Sequence, residues 1–136
     1  MRILMIGGTA FVGRHIAQAA IDSGHDLTLF HRGKTGSELF PQATHLLADR
    51  DEDLSALASG SWDATIDVCA YFPRQVRSLA DALGGRGGRY VFISSVSAYS
   101  SAVPGNYDES APLAEIDDPE ATEVTDQNYG GLKVAC

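Results

Sequence analysis

Apolar positions along this chain come in short bursts of two kinds. Ile3, Leu4, Met5 and Ile6 form an unbroken apolar run of strand length, the pattern of a strand buried on both faces, as in a parallel sheet. A glycine-rich turn follows. Apolar residues then return at helical spacing, with Phe11, Val12, Ile16, Ala19 and Ala20 falling on roughly one face. Gly24, His25 and Asp26 break this helix, and residues 27–30 make a second strand. Residues 43–48 predict a third strand, and Leu54, Leu57 and Ala58 a short helix leading to Trp62. A fourth strand spans residues 64–68. After Pro73, a residue suited to a first helical turn, Val76, Leu79, Ala80 and Leu83 recur at three- and four-residue steps until Gly84 and Gly85 end the helix. Residues 89–94 predict a fifth strand. A long polar loop then runs to about Thr125, and a last helix starts near Asn128.

Strands alternating with helices at this spacing predict an α/β fold, a doubly wound parallel sheet of the Rossmann-like, nucleotide-binding kind. Residues 1–136 read as one such domain, without internal repeats. The last helix reaches Cys136 after about two turns without a cap, so the expectation is the N-terminal part of a longer enzyme, truncated before the last strands and a substrate domain. Residues shaping a substrate pocket are then expected beyond Cys136, and the fifth strand is expected to form an open edge.

Charge narrows the partners. The formal net charge is -8, and eight of the acids (Asp108, Glu109, Glu115, Asp117, Asp118, Glu120, Glu123, Asp126) lie in one stretch without Lys or Arg. Such a chain repels phosphate backbones at long range, so nucleic acid is not an expected partner and any phosphate site must be local. No apolar stretch approaches a membrane span and no signal peptide is evident, so no membrane partner is expected. Cys69 and Cys136 lack metal-type spacing, no metal is expected, and a reduced, cytoplasmic setting is the expected location.

The turn itself carries the first candidate chemistry. Gly7, Gly8 and Gly13 lack a Cβ, so the backbone can reverse sharply, approach a pyrophosphate and pack the helix on the strand, while the first-turn amides aim at an anion. Gly7, Thr9, Ala10, Phe11, Val12 and Gly13 are therefore the candidate cofactor turn, a GxxGxxG pattern whose middle glycine is alanine. Tight strand-to-helix turns also need glycine without any ligand. Where NAD-binding sheets usually end the second strand in Asp or Glu, this chain has His31 and Arg32, with Lys34 close behind. A guanidinium grips a 2′-phosphate that a carboxylate would repel, which favours NADP, with NAD possible. The alternative is an exposed basic turn. Arg14, just past Gly13, is a further phosphate candidate. Asp49 and Arg50, after the third strand, are either an adenine-side pair or a surface pair.

Tyr129 and Lys133 stand four apart, on one helical face. A free phenol has a pKa near 10, so any tyrosine moving protons at neutral pH needs its phenolate stabilised by about 4 kcal/mol, to which a close ammonium contributes. The spacing is common by chance, and Gly130 and Gly131 weaken a helix. Ser95 follows the fifth strand, where open parallel sheets place catalytic groups; it can polarise a carbonyl or merely cap a turn in a stretch that includes Ser100 and Ser101.

Together the glycine turn, Ser95 and the Tyr/Lys pair resemble the extended short-chain dehydrogenase/reductase superfamily, the NAD-dependent epimerase/dehydratase group, over nearly the whole chain. The resemblance implies that Ser95, in an SSxxxY pattern with Tyr99, is the catalytic Ser/Thr. It further implies that Tyr129 is the acid/base, that Lys133 binds the nicotinamide ribose, and that Asp49 and Arg50 sit beside adenine. Val96 and Ser97 stand where sugar-nucleotide dehydratases carry acids, which argues against dehydration. Cys69, Ala70 and Tyr71 replace the usual His or Asn motif after the fourth strand. The GGTAFVG turn followed by FHRGK also resembles an atypical branch that includes chloroplast stem-loop-binding proteins, associated with RNA and usually lacking the Tyr/Lys pair.

The implied function is an NAD(P)-dependent oxidoreductase or epimerase transferring hydride to or from a small carbonyl, carbinol or nucleotide-sugar substrate. The alternatives are a non-catalytic NADPH-binding or RNA-associated member, or an inactive fragment. The resemblance also implies that the full-length parent is a homodimer through the helix after Pro73 and the helix after Asn128.

Overall fold

The computed structural model describes residues 1–100 and 105–136, and these divide into two compact units, Met1–Cys69 with Ser78–Ile93 and Ala70–Arg77 with Ser94–Cys136. Ser101 lies outside the described residues.

The first unit holds an all-parallel sheet of β1 (Arg2–Ile6), β2 (Asp26–His31), β3 (Thr44–Leu47), β4 (Ala64–Asp67) and β5 (Arg89–Phe92), in the order β3-β2-β1-β4-β5. Every expected strand forms, with β3, β4 and β5 shorter than the apolar pattern predicts. Central β1 explains its own sequence. Ile3 and Met5 pack with Leu27, Leu29 and with Ala17 and Ala20 of α1 (Phe11–Asp22), whereas Leu4 and Ile6 pack with Phe30, Trp62 and with Leu79 and Leu83 of α2 (Pro73–Leu83). Both faces are covered, so both sets of alternating side chains must be apolar. Each fully buried Leu or Ile here contributes roughly 1.5–3 kcal/mol relative to exposure. Strand order reverses between β1 and β4, the place where open α/β sheets hold ligands at the strands' carboxyl ends. As expected, β5 forms one edge, with Tyr90 and Val91 exposed.

One expectation fails in α1. Phe11, Val12 and Ala19 are exposed, and the buried stripe is Gly13, Ala17 and Ala20 with half-buried Ile16. The spacing 13–17–20 follows the helix as well as the expected one does, and small residues win because β1 and β2 already fill the interface with large side chains. The predicted short helix before Trp62 is a single 3-10 turn, Ser55–Leu57.

In the second unit, Gln75 accepts the amides of Tyr71 and Phe72 at 2.8 and 3.2 Å and so caps the start of α2. The long acidic loop contains local structure that the sequence pattern does not show: a 3-10 turn over Val96–Ala98, then an antiparallel bridge between Tyr99 and Leu113. The last helix, α3 (Tyr129–Ala135), begins where expected, behind reciprocal hydrogen bonds between Thr125 and Asn128. Among the described residues, no helix is long and apolar enough to cross a membrane.

Candidate functional site

Gly7 and Gly8 have φ of +94° and +98°, so both need the conformational freedom of glycine. A Cβ on Gly7 would lie 2.8 Å from the Val68 side chain, and one on Gly8 would lie 2.8 Å from Leu29. At Gly13 it would meet Val68 at 3.0 Å and the Gly8 backbone at 3.1 Å, which is how α1 seats on the turn. Ala10 has φ -142° and ψ 158°, ordinary extended backbone, so alanine replaces the middle glycine without strain. Strain falls next door, at Phe11, with φ +42° and its ring 90% exposed beside the turn. No side chain caps α1, so its first-turn amides are offered to an anion; Thr9 is half-buried, while Ala10 and Val12 are exposed. A cradle that side chains would fill, ending at an uncapped helix start, fits the pyrophosphate of a dinucleotide.

The basic loop after β2 returns to this turn, because a Cβ on Gly36 would lie 2.9 Å from the Thr9 carbonyl oxygen. Arg32 and Lys34 are exposed, as a phosphate clamp requires, and Arg32 reaches to 3.9 Å from the Asp49 carboxylate. His31 departs from the expectation of a basic loop residue. It is buried, and its Nδ1 accepts the Gly33 amide at 3.2 Å, so its Nε2 carries the proton and donates to His45 Nδ1 at 2.8 Å. His45 Nε2 in turn donates to the Phe40 carbonyl at 3.2 Å. Burial first, and then His45, push the pKa of His31 down, which favours its neutral form.

Arg50 also departs from its expected place. Its guanidinium donates to both oxygens of Asp67, at 2.8 and 2.9 Å, with side-chain exposures of 8% and 0%. Burial alone would lower its pKa, but the hydrogen bond and charge of Asp67 outweigh burial and raise it. Arg50 is therefore committed to the interior, where Tyr90 and the Cys69 amide also donate to Asp67. Of the proposed adenine-side pair only Asp49 stays partly exposed. Burial and then the Asp67 charge push the Cys69 thiol up, so it stays protonated at neutral pH.

In the second unit, Ser95 accepts the Ser97 amide at 3.1 Å through its Oγ, the capping role, while its hydroxyl proton remains a donor. Tyr129 opens α3, and Lys133 lies one turn on, buried, with Nζ donating to the Ala70 carbonyl at 3.0 Å. The ring of Tyr71 stands beside both, 6.4 Å from the Tyr129 ring and 5.7 Å from the ammonium. The two glycines that weaken this helix are what bring it in. A Cβ on Gly130 would strike the Ser97 carbonyl oxygen, and one on Gly131 the Glu115 carbonyl oxygen. Tyr129 also borders a cleft of about 910 Å³.

Sequence reasoning missed Asp67, Tyr71 and the His31–His45 pair. An acid ending a buried parallel strand was the one local signal for Asp67. The other two depend on partners across strands or loops.

The sequence profile of the NAD dependent epimerase/dehydratase family matches residues 3–122. A bifunctional pinoresinol-lariciresinol reductase of Linum album is 28% identical over 86 residues, covering 57% of this chain and 26% of that protein. The chloroplast stem-loop binding protein of 41 kDa b of Arabidopsis thaliana is 28% identical over 114 residues, 72% of this chain and 30% of that one. Among solved structures, the UDP-N-acetylglucosamine 4-epimerase of Bacillus cereus shares the fold with a TM-score of 0.71 at 21% identity, over 100% of this chain and 46% of its own. The chain thus spans about a quarter to a half of the proteins it resembles. With the profile matched over most of its length, the chain belongs to the NAD dependent epimerase/dehydratase family.

Proposed function

We propose that the protein is an NADP-preferring oxidoreductase or epimerase that moves hydride to or from a carbonyl or carbinol carbon. The observation that carries this reading is Tyr129 and buried Lys133 one turn apart on α3, with Tyr71 against both. Gly7, Thr9, Ala10, Phe11, Val12 and Gly13 would hold the pyrophosphate, Arg32 and Lys34 the 2′-phosphate, and Asp49 the adenine. When bound, the nicotinamide supplies or accepts the hydride. In the reducing direction Tyr129 donates its hydroxyl proton to the carbonyl oxygen, the Lys133 ammonium stabilises the resulting phenolate, and the Ser95 hydroxyl polarises the carbonyl. The protein would work in the cytoplasm as a homodimer.

Turnover tests the assignment. NADPH consumption against a panel of aldehydes and ketones is expected to fall by about 10²–10⁴-fold in Tyr129→Phe with NADPH affinity unchanged. A variant that keeps the native rate would remove Tyr129 from the chemistry.

Similarity to a stem-loop binding protein favours a second reading, nucleotide binding without turnover and with RNA association. The net charge of -8 stands against it. Retention of RNA on a filter at physiological salt would support it.

A further inference from the structure

The cleft beside Tyr129 is lined by four tyrosines, Tyr71, Tyr99, Tyr107 and Tyr129, and its one charged lining residue among the described residues is Asp126. The tyrosines come in two pairs. Tyr71 and Tyr129 have ring centroids 6.4 Å apart, and Tyr99 and Tyr107 are 4.8 Å apart and tilted by 54°. Rings in such tilted arrangements present both faces and edges to a further ring.

Cations are missing from this surface for a reason in the sequence. Residues 90–132 contain no Lys, Arg or His but eight acids, so the whole second unit has three cations, Arg74, Arg77 and Lys133. Each is placed elsewhere: Arg74 donates to the Ala121 carbonyl, Arg77 pairs with Glu120, and Lys133 is buried on the Ala70 carbonyl. A phosphate or carboxylate entering the cleft would meet the Asp126 charge and no compensating cation. An uncharged ring pays no such cost, and a cationic one gains from tyrosine faces and Asp126 together. The volume, about 910 Å³, suits a molecule of drug-like size.

We propose that this cleft takes an uncharged or cationic aromatic substrate, stacked on its tyrosines with the reacting carbonyl or carbinol at Tyr129, and that it rejects anionic substrates such as nucleoside-diphosphate sugars. The proposal rests on Tyr129 being the acid/base, and it gives that site a substrate class.

Binding of four probes tests it: acetophenone, benzoate with the same ring but a negative charge, cyclohexanone without aromaticity, and UDP-glucose. Acetophenone is expected to shift the ring resonances of Tyr71, Tyr99, Tyr107 and Tyr129 and to bind at least tenfold tighter than each of the others. Asp126 is exposed, so Asp126→Asn leaves the fold intact; it is expected to tighten benzoate at least threefold with acetophenone unchanged. Benzoate or UDP-glucose binding as tightly as acetophenone, an Asp126→Asn variant that leaves benzoate unmoved, or acetophenone shifting none of the four tyrosines would overturn the proposal. NADPH titrated in parallel separates the causes. If NADPH binds and the probes disobey, the substrate class is wrong and the cofactor reading stands; if NADPH fails to bind, the reading of the function falls.

Discussion

Arg50 and Asp67 form a two-pronged ion pair inside the first unit, 17 residues apart in sequence and almost without solvent. The pair ties the segment after β3 to the end of β4, and Tyr90 of β5 adds a third hydrogen bond at 2.9 Å. Burying two charges is costly, and the pair is tolerated because Asp67 has its remaining acceptor capacity filled. Removing one partner strands the other. Arg50→Met or Asp67→Leu is expected to lower unfolding free energy in urea by about 3–5 kcal/mol, whereas the double variant should recover much of that loss. If the two single losses simply added, the residues would be acting independently and the pairing would not be the source of the effect.

His31 and His45 predict a pH dependence. The folded state lowers the pKa of His31, so it binds that proton less well than the unfolded chain does. Stability from this group is complete above the unfolded value near 6.5 and is lost as pH falls below it, until the lower folded-state pKa is reached. Thermal unfolding between pH 8 and 5 should show a falling Tm below about pH 6.5, flattened in His31→Phe. Protonation also breaks the acceptor role of Nδ1 toward Gly33, which loosens the loop carrying Arg32 and Lys34. A Tm slope unchanged by the substitution would assign the acid sensitivity to other groups.

Glycines supply a prediction with its own control. Gly131→Ala drives a methyl into the Glu115 carbonyl, so α3 must shift, and about 1–3 kcal/mol of stability should go with it. Displacing α3 displaces Tyr129 and Lys133, so turnover should fall further than stability alone requires. At Gly105 a Cβ would have nothing within 4 Å, and Gly105→Ala should change stability by no more than about 0.5 kcal/mol. Equal effects at the two positions would refute the packing role given to Gly131.

What could be read from the sequence was mostly local. The run at residues 3–6, the glycines after it and the spacing through α2 each carry their cause within a few residues, and the sheet with its glycine turn followed from them. Periodicity puts Phe11 on the buried face because it registers hydrophobicity and is blind to a positive φ at the first helical residue. Arg50 looked like a surface residue because its partner lies 17 positions away, on another strand. His31 looked basic because its neighbours are, and only the β2–β3 register, which sets His45 opposite Leu29, brings the second ring within reach. Long-range pairing decided every one of these last assignments except Phe11.

Cofactor choice is the central claim, and a direct titration of NADPH and NADH, repeated on Arg32→Ala, tests it. Charge-assisted hydrogen bonds contribute about 1.5–3 kcal/mol, so NADPH should bind roughly 10- to 100-fold tighter than NADH, and the Arg32→Ala variant should lose most of that preference while still binding NADH. Equal affinities in the wild type, a preference that survives the substitution, or binding of neither nucleotide would contradict the account.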